Sequence, residues 1–168
     1  MNEGSVSSSE PSLSFRLGEV ADAHQVALFH TECWCEAYRG IVPQAYLDGV
    51  TVADREPRWC DRLTSGIRRT ILALSGVRLV GVVSWGRTDV PNLPVHELMS
   101  LYVAASHRSS GLADELLAHS ISSRPAHQLV FEANRRAQVF YRRHGFVADG
   151  HQEVDADTGV LELRMIRR

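Results

Sequence analysis

Helices covering both faces of one mixed α/β sheet are what this sequence predicts, and three observations predict them. Two runs rich in Ile, Val and Leu, 69–74 and 77–87, flank Ser75 and Gly76, a pair that reads as a two-residue turn joining antiparallel strands. Between the apolar runs lie segments whose apolar residues recur at helical spacing. At Glu97–Leu117, ELMSLYVAASHRSSGLADELL, an apolar strand runs directly into a glycine-bearing turn and then a helix. A chain of 168 residues with 44% hydrophobic content can bury one full core and leaves no room for a second catalytic domain.

The elements follow in order. Residues 1–13, rich in Ser with Pro and Glu, cannot bury enough apolar surface to offset the entropy of ordering, so they read as a flexible tail before a single domain over 14–168. Ser14 to Glu19 reads as a first strand. Asp22, with Gln25 three residues on, then caps a helix running to about Tyr38, with Val26, Phe29, His30, Cys33 and Ala37 toward the sheet and Gly40 as its stop. A short helix follows at Gln44–Leu47. Residues 51–63 have helical composition, but Pro57 removes a backbone donor and predicts a break there, with Pro57 opening a new helix. Thr88–Pro94 is a loop and Val95–Val103 a strand. A helix starts near Gly111, where Leu112, Leu116, Leu117 and Ile121 recur at helical spacing. A strand at 128–131, a helix at 134–143 and strands near 146–152 and 160–166 complete the chain.

Composition removes several function classes. Eighteen basic against twenty acidic residues give a formal charge of −2, without the basic excess of a nucleic-acid binder. No apolar run approaches the roughly 18 residues needed to span a bilayer, and the opening MNEGSVSSSEPS lacks the regions of a signal peptide, so no membrane association and a cytoplasmic location are expected. Three cysteines suit a reducing compartment. Cys33 and Cys35, two apart on a helix, point in nearly opposite directions and make a poor chelate, and none of the eight histidines forms a zinc-binding pair, so no metal is expected.

The strand-turn-helix at Arg108, Gly111 and Ala113 builds an anion site, because the first N–H groups of a helix have no internal partner and the dipole favours negative charge. This R-x-x-G-x-A order after LYV resembles the acyl-coenzyme A signature of the GNAT N-acetyltransferase family. Leu129 to Phe146, LVFEANRRAQVFYRRHGF, resembles the second half of the family's cofactor site. The resemblance extends more weakly over Phe15–Arg168. It implies a GNAT-like, mostly antiparallel central sheet, acetyl-CoA (coenzyme A) as donor, and often a homodimer, for which edge strands near the C-terminus offer pairing.

Acetyl transfer to an amine needs a proton acceptor for the ammonium, a donor to the developing oxyanion and an acid for the departing thiolate, and it needs no covalent enzyme intermediate. Counted from Asn134 as the helix start, Ala137 and Tyr141 fall at i+3 and i+7, so all three share one face and small Ala137 admits a ligand. The resemblance implies that Tyr141 is the general acid to the thiolate and that Asn134 hydrogen-bonds the cofactor arm. Strand alternation puts Glu97 on the face of Met99, Leu101 and Val103, an unusual place for a carboxylate; the resemblance makes it the base, directly or through water, while a residue of register would make it an exposed charge.

Backbone groups of Leu101, Tyr102 and Val103 would pair with the pantetheine amides as an added strand does. Arg108, Ser109, Ser110, Gly111, Leu112 and Ala113 would cradle the pyrophosphate, although Ser110 stands where many relatives have glycine and Asp114 must point away from a phosphate. Arg135, Arg136, Arg142 and Arg143 read as a solvated face from which one side chain can meet the 3′-phosphate. For the acceptor, the resemblance nominates the aromatics Trp34, Tyr38, Tyr46 and Trp85 with the carboxylate of Glu32, and the aromatics serve equally well as core. The leading reading is an acetyl-CoA-dependent N-acetyltransferase acting on a primary amine of a small molecule by direct attack in a ternary complex. A protein N-terminal or lysine acetyltransferase and a non-catalytic acyl-CoA-binding module are the alternatives, and a Rossmann domain is disfavoured because no G-x-G-x-x-G follows the first strand.

Overall fold

The computed structural model describes residues 12–168. Seven strands form one sheet: β1 (Leu13–Leu17), β2 (Arg68–Ser75), β3 (Arg78–Arg87), β4 (His96–Val103), β5 (Ala126–Phe131), β6 (Val147–Val154) and β7 (Leu161–Arg167). Their spatial order is β1-β2-β3-β4-β5-β7-β6, and among the described residues β4–β5 is the one parallel pair of strands. The helices are α1 (Ala23–Ala37), α2 (Gln44–Gly49), α3 (Val52–Ser65), α4 (Leu112–His119) and α5 (Arg135–Arg143).

β3 shows why the sheet needs cover on both sides. Every residue from Leu79 to Gly86 is buried and only its terminal arginines are exposed, the pattern of a strand with helices above and below. On one face α1 and α3 contribute Val26, Ala27, Phe29, Cys33 and Trp59 against Leu72, Leu79 and Val82. On the other, Leu112, Leu116 and Leu117 of α4 and Tyr141 of α5 pack on Ala73, Val80, Val83, Trp85 and Leu98.

Four expectations are corrected at the level of elements. The tail expected over 1–13 lies outside the described residues as far as residue 11, but Ser12 accepts the Gly76 N–H and Leu13 opens β1. Asp22 does not cap α1 with its side chain; the carboxylate accepts the Glu19 N–H and holds Arg16 at 2.7 Å. The hairpin turn is Gly76–Val77, since Ser75 still pairs with Arg78. Pro57 does not break its helix: α3 runs through it from a Thr51 cap that accepts the Asp54 N–H. Proline's fixed φ suits a helix, the one carbonyl that loses its partner belongs to exposed Ala53, where water can serve it, and Trp59 anchors the following turn in the core.

Candidate active site

The register of the two central strands opens the site. β4 and β5 pair only at His96 with Ala126 and Glu97 with His127, and beyond those two pairs they part. A cavity of about 1050 Å³ occupies the split, lined by Met99–Val103 on one side and Gln128–Phe131 on the other. Parting leaves polar groups unserved. Ser100 Oγ and Gln128 Nε2 both line the cavity, are buried and have no hydrogen-bond partner among the described residues, a costly state that a polar ligand in the split would relieve.

At the α4 end, Ser109 and Gly111 take left-handed backbone angles, φ +64° and +89°. A Cβ on Gly111 would meet nothing within 4 Å, so the conformation rather than crowding calls for glycine, and the space over the turn is open. Ser110 Oγ donates to the His107 carbonyl at 2.7 Å and accepts the Leu112 N–H at 3.3 Å, which commits that hydroxyl to the turn itself. Arg108 and Ala113 line the cavity, whereas Ser109, Ser110, Gly111 and the core side chain of Leu112 do not. Arg108 is ion-paired to Glu36 of α1 at 2.5 Å. Asp114 points away, as expected of it, toward Arg143 and His144 at 2.9 and 2.8 Å.

α5 brings its predicted face to the cavity. Asn134 caps the helix by accepting the Ala137 N–H at 3.1 Å, which leaves its amide NH2 free to donate, and Asn134, Ala137 and Tyr141 all line the cavity. Burial, reinforced by Tyr38, pushes the Tyr141 hydroxyl well above its ordinary value. It therefore holds its proton at neutral pH. Arg135 and Arg136 also line the cavity, while Arg142 turns to Gln138.

Three nominated residues, Glu97, Trp85 and Glu32, are not there. A bulge at Ser84/Trp85 pairs Ser84 with Ser100 but Trp85 with Leu98, giving β4 one extra residue. That residue reverses the alternation: Leu98 shares the core cluster with Leu101 and Val103, so Glu97 falls on the opposite face and does not line the cavity. Trp85, two residues after Val83 on β3, is buried in that cluster, with the Arg69 guanidinium 5.7 Å from its ring centroid. Glu32 is exposed and also outside the lining, whereas Trp34, Tyr38 and Tyr46 are within it.

The cavity also gathers groups that no sequence motif marked. Glu162 of β7 lies half-buried in the wall, where burial first, then Asp155 and Glu153, raise its carboxyl to about 7. Tyr38 and Tyr102 share a hydrogen bond of 3.3 Å between their hydroxyls. His30 is buried, accepts from Trp59 Nε1 at 3.2 Å, and is kept neutral by burial and by Arg55 and Arg62. Burial pushes the Cys33 thiol up to about 11, which removes it as a nucleophile. Arg55, Arg58, Arg62 and Arg68 line the α3 side.

Comparisons with known proteins agree with this geometry. A family model described as an acetyltransferase (GNAT) domain matches residues 51–167. The structure is similar to a PaiA N-acetyltransferase of Thermoplasma acidophilum in complex with coenzyme A, at 17% identity and a TM-score of 0.75, covering 94% of this chain and 99% of that one. It is also similar to an acetyltransferase of the GNAT family from Streptococcus pneumoniae (20% identity, TM-score 0.64, 93% and 98% covered). A spermidine N-acetyltransferase chimera from Vibrio cholerae and hSSAT matches at 18% identity and a TM-score of 0.63, with 92% and 94% covered. At these identities the likenesses speak for the fold. No curated protein matches the chain by sequence.

Proposed function

The chain belongs to the GNAT acetyltransferase family, and from that premise we propose that it moves an acetyl group from acetyl-CoA to the primary amine of a small molecule by direct attack in a ternary complex. The observation that carries the proposal is the parted β4–β5 edge, with unpartnered Ser100 and Gln128 and the α5 face of Asn134, Ala137 and Tyr141 meeting in one cavity. Bound there, acetyl-CoA supplies the thioester carbonyl that the amine attacks. The exposed backbone of Leu101–Val103 would take the pantetheine arm as an added strand. The left-handed turn at Ser109–Gly111 and the first N–H groups of α4 would take the pyrophosphate, with Arg108, Arg135 and Arg136 adding charge. Asn134 would donate to the arm through its free amide.

Glu162 replaces Glu97 as the base in this reading. A carboxyl near 7 is ionised enough at neutral pH to accept the ammonium proton and basic enough to be effective. Tyr141 donates its retained proton to the departing sulfur. Thiol release from acetyl-CoA, measured with a panel of primary amines, tests the reading. Release that depends on an amine, with the acetyl group recovered on it, is expected; equal release without any amine, or acetyl recovered only on polypeptides, would overturn it.

A further inference from the structure

Arg55, Arg58 and Arg62 sit at i, i+3 and i+7 of α3 and so share one face, and Arg68 enters β2 beside them; all four line the cavity. Guanidinium groups stay charged in proteins, and gathering four at one wall is costly unless an anion answers them. Among the described residues no carboxylate lies within ion-pair distance of any of the four. Asp54, the acidic member of the same helix that also lines the cavity, takes the Thr51 hydroxyl instead.

Arg55 is the centre of the group. Its guanidinium lies 5.0 Å over the Trp34 ring, Nη1 reaches the neutral His30 at 3.0 Å, and Nε is buried with no hydrogen-bond partner among the described residues. Arg62 stacks 5.0 Å over Trp59. Aromatic stacking fixes the planes of these forks without neutralising them, which leaves their donors for a ligand. The cluster lies on the α1/α3 face of the sheet, whereas Ala113, Asn134 and Ala137 lie on the α4/α5 face. It is therefore separate from the phosphate cradle. The cavity lining also includes an acidic wall of Asp155, Asp157 and Glu162, from β7 and the turn that precedes it.

We propose that the acceptor is an amine that also carries an acidic group, a carboxylate or a phosphate, held by Arg55, Arg58, Arg62 and Arg68 while its amine faces the acidic wall and Glu162. This rests on the acetyltransferase reading and excludes polyamines as preferred acceptors, since a second ammonium would meet the arginines. Matched amines test it: β-alanine and 4-aminobutyrate against propylamine, O-phosphoethanolamine against ethanolamine, and putrescine as the dication. The acid-bearing member of each pair should be favoured about tenfold or more in kcat/KM, as expected for a charge-assisted, bidentate contact. Which anion leads tells carboxylate from phosphate. Arg55→Gln and the exposed Arg58→Gln should collapse that ratio through KM, with Arg55→Lys retaining part of it and acetyl-CoA affinity unchanged by calorimetry.

Equal or better turnover of propylamine or putrescine overturns the proposal and leaves the acetyltransferase reading intact. A fall in acetyl-CoA affinity in the arginine variants also overturns it, by assigning the cluster to the cofactor. Turnover of no amine of either kind removes the underlying reading and the proposal with it.

Discussion

The two halves of the cavity are built in different ways. The cofactor half is framed by backbone, the unpaired edge of β4, the left-handed turn before α4 and the start of α5, with nearby side chains added to it, all within residues 98–141. The acceptor half consists of side chains drawn from α1, α3 and β7, more than 120 positions apart between His30 and Glu162. Backbone sites depend on local turns and register, so they tolerate side-chain change and bind a common ligand. Side-chain sites depend on the whole fold and can differ from protein to protein, which is where selectivity for one amine resides.

Changes at the two proton-transfer groups, Glu162 of the acceptor half and Tyr141 where the halves meet, should alter chemistry most. Glu162→Gln is expected to lower kcat by about 10²-fold or more, within the usual range for removing a general base. The sign of the pH dependence follows from the raised carboxyl: activity of the wild-type chain rises with pH through about 7 as Glu162 ionises, and the variant loses that limb. A profile with the same limb in both proteins would move the base elsewhere. Next in size, Tyr141→Phe should reduce kcat by about 10²-fold at the acid step while sparing acetyl-CoA affinity. Loss of affinity instead would make Tyr141 a packing residue.

Changes in the cofactor half should act through stability and binding. Asn134→Ala removes the α5 cap and should cost about 1 kcal/mol, read as a lower melting temperature, together with weaker cofactor binding. A melting temperature unchanged by the substitution would show the cap to be idle. The smallest effect belongs to Asp114→Asn, which cuts the links to Arg143 and His144 between α4 and α5. Partly exposed ion pairs of this kind are worth roughly 0–1 kcal/mol, and their contribution should shrink in high salt.

The same contrast explains what the sequence disclosed. Arg108, Gly111, Ala113, Asn134, Ala137 and Tyr141 stand in short contiguous motifs, so their local geometry was legible, as were the strand-turn-helix and the α5 face. Glu97 was misplaced by one bulge residue in β4, an event that apolar alternation does not record, whereas Trp85 continues the core face of Val83 on β3. The arginine stripe was hidden by Pro57: a break there puts Arg55 on one helix and Arg58 and Arg62 on another, and the i, i+3, i+7 spacing disappears. Glu162 had no local mark at all. Its basicity comes from burial and from Asp155 and Glu153, neighbours that only the folded hairpin of β6 and β7 brings together.

Calorimetric titration with acetyl-CoA, run on the wild-type chain beside Gly111→Glu and Tyr141→Phe, tests the central claim most directly. Gly111→Glu sets a side chain and a negative charge in the open space over a left-handed turn, so binding should be saturable in the wild type, abolished in this variant and largely kept in Tyr141→Phe. No binding by the wild-type chain, or equal binding by Gly111→Glu, would contradict the assignment of this cavity to the cofactor.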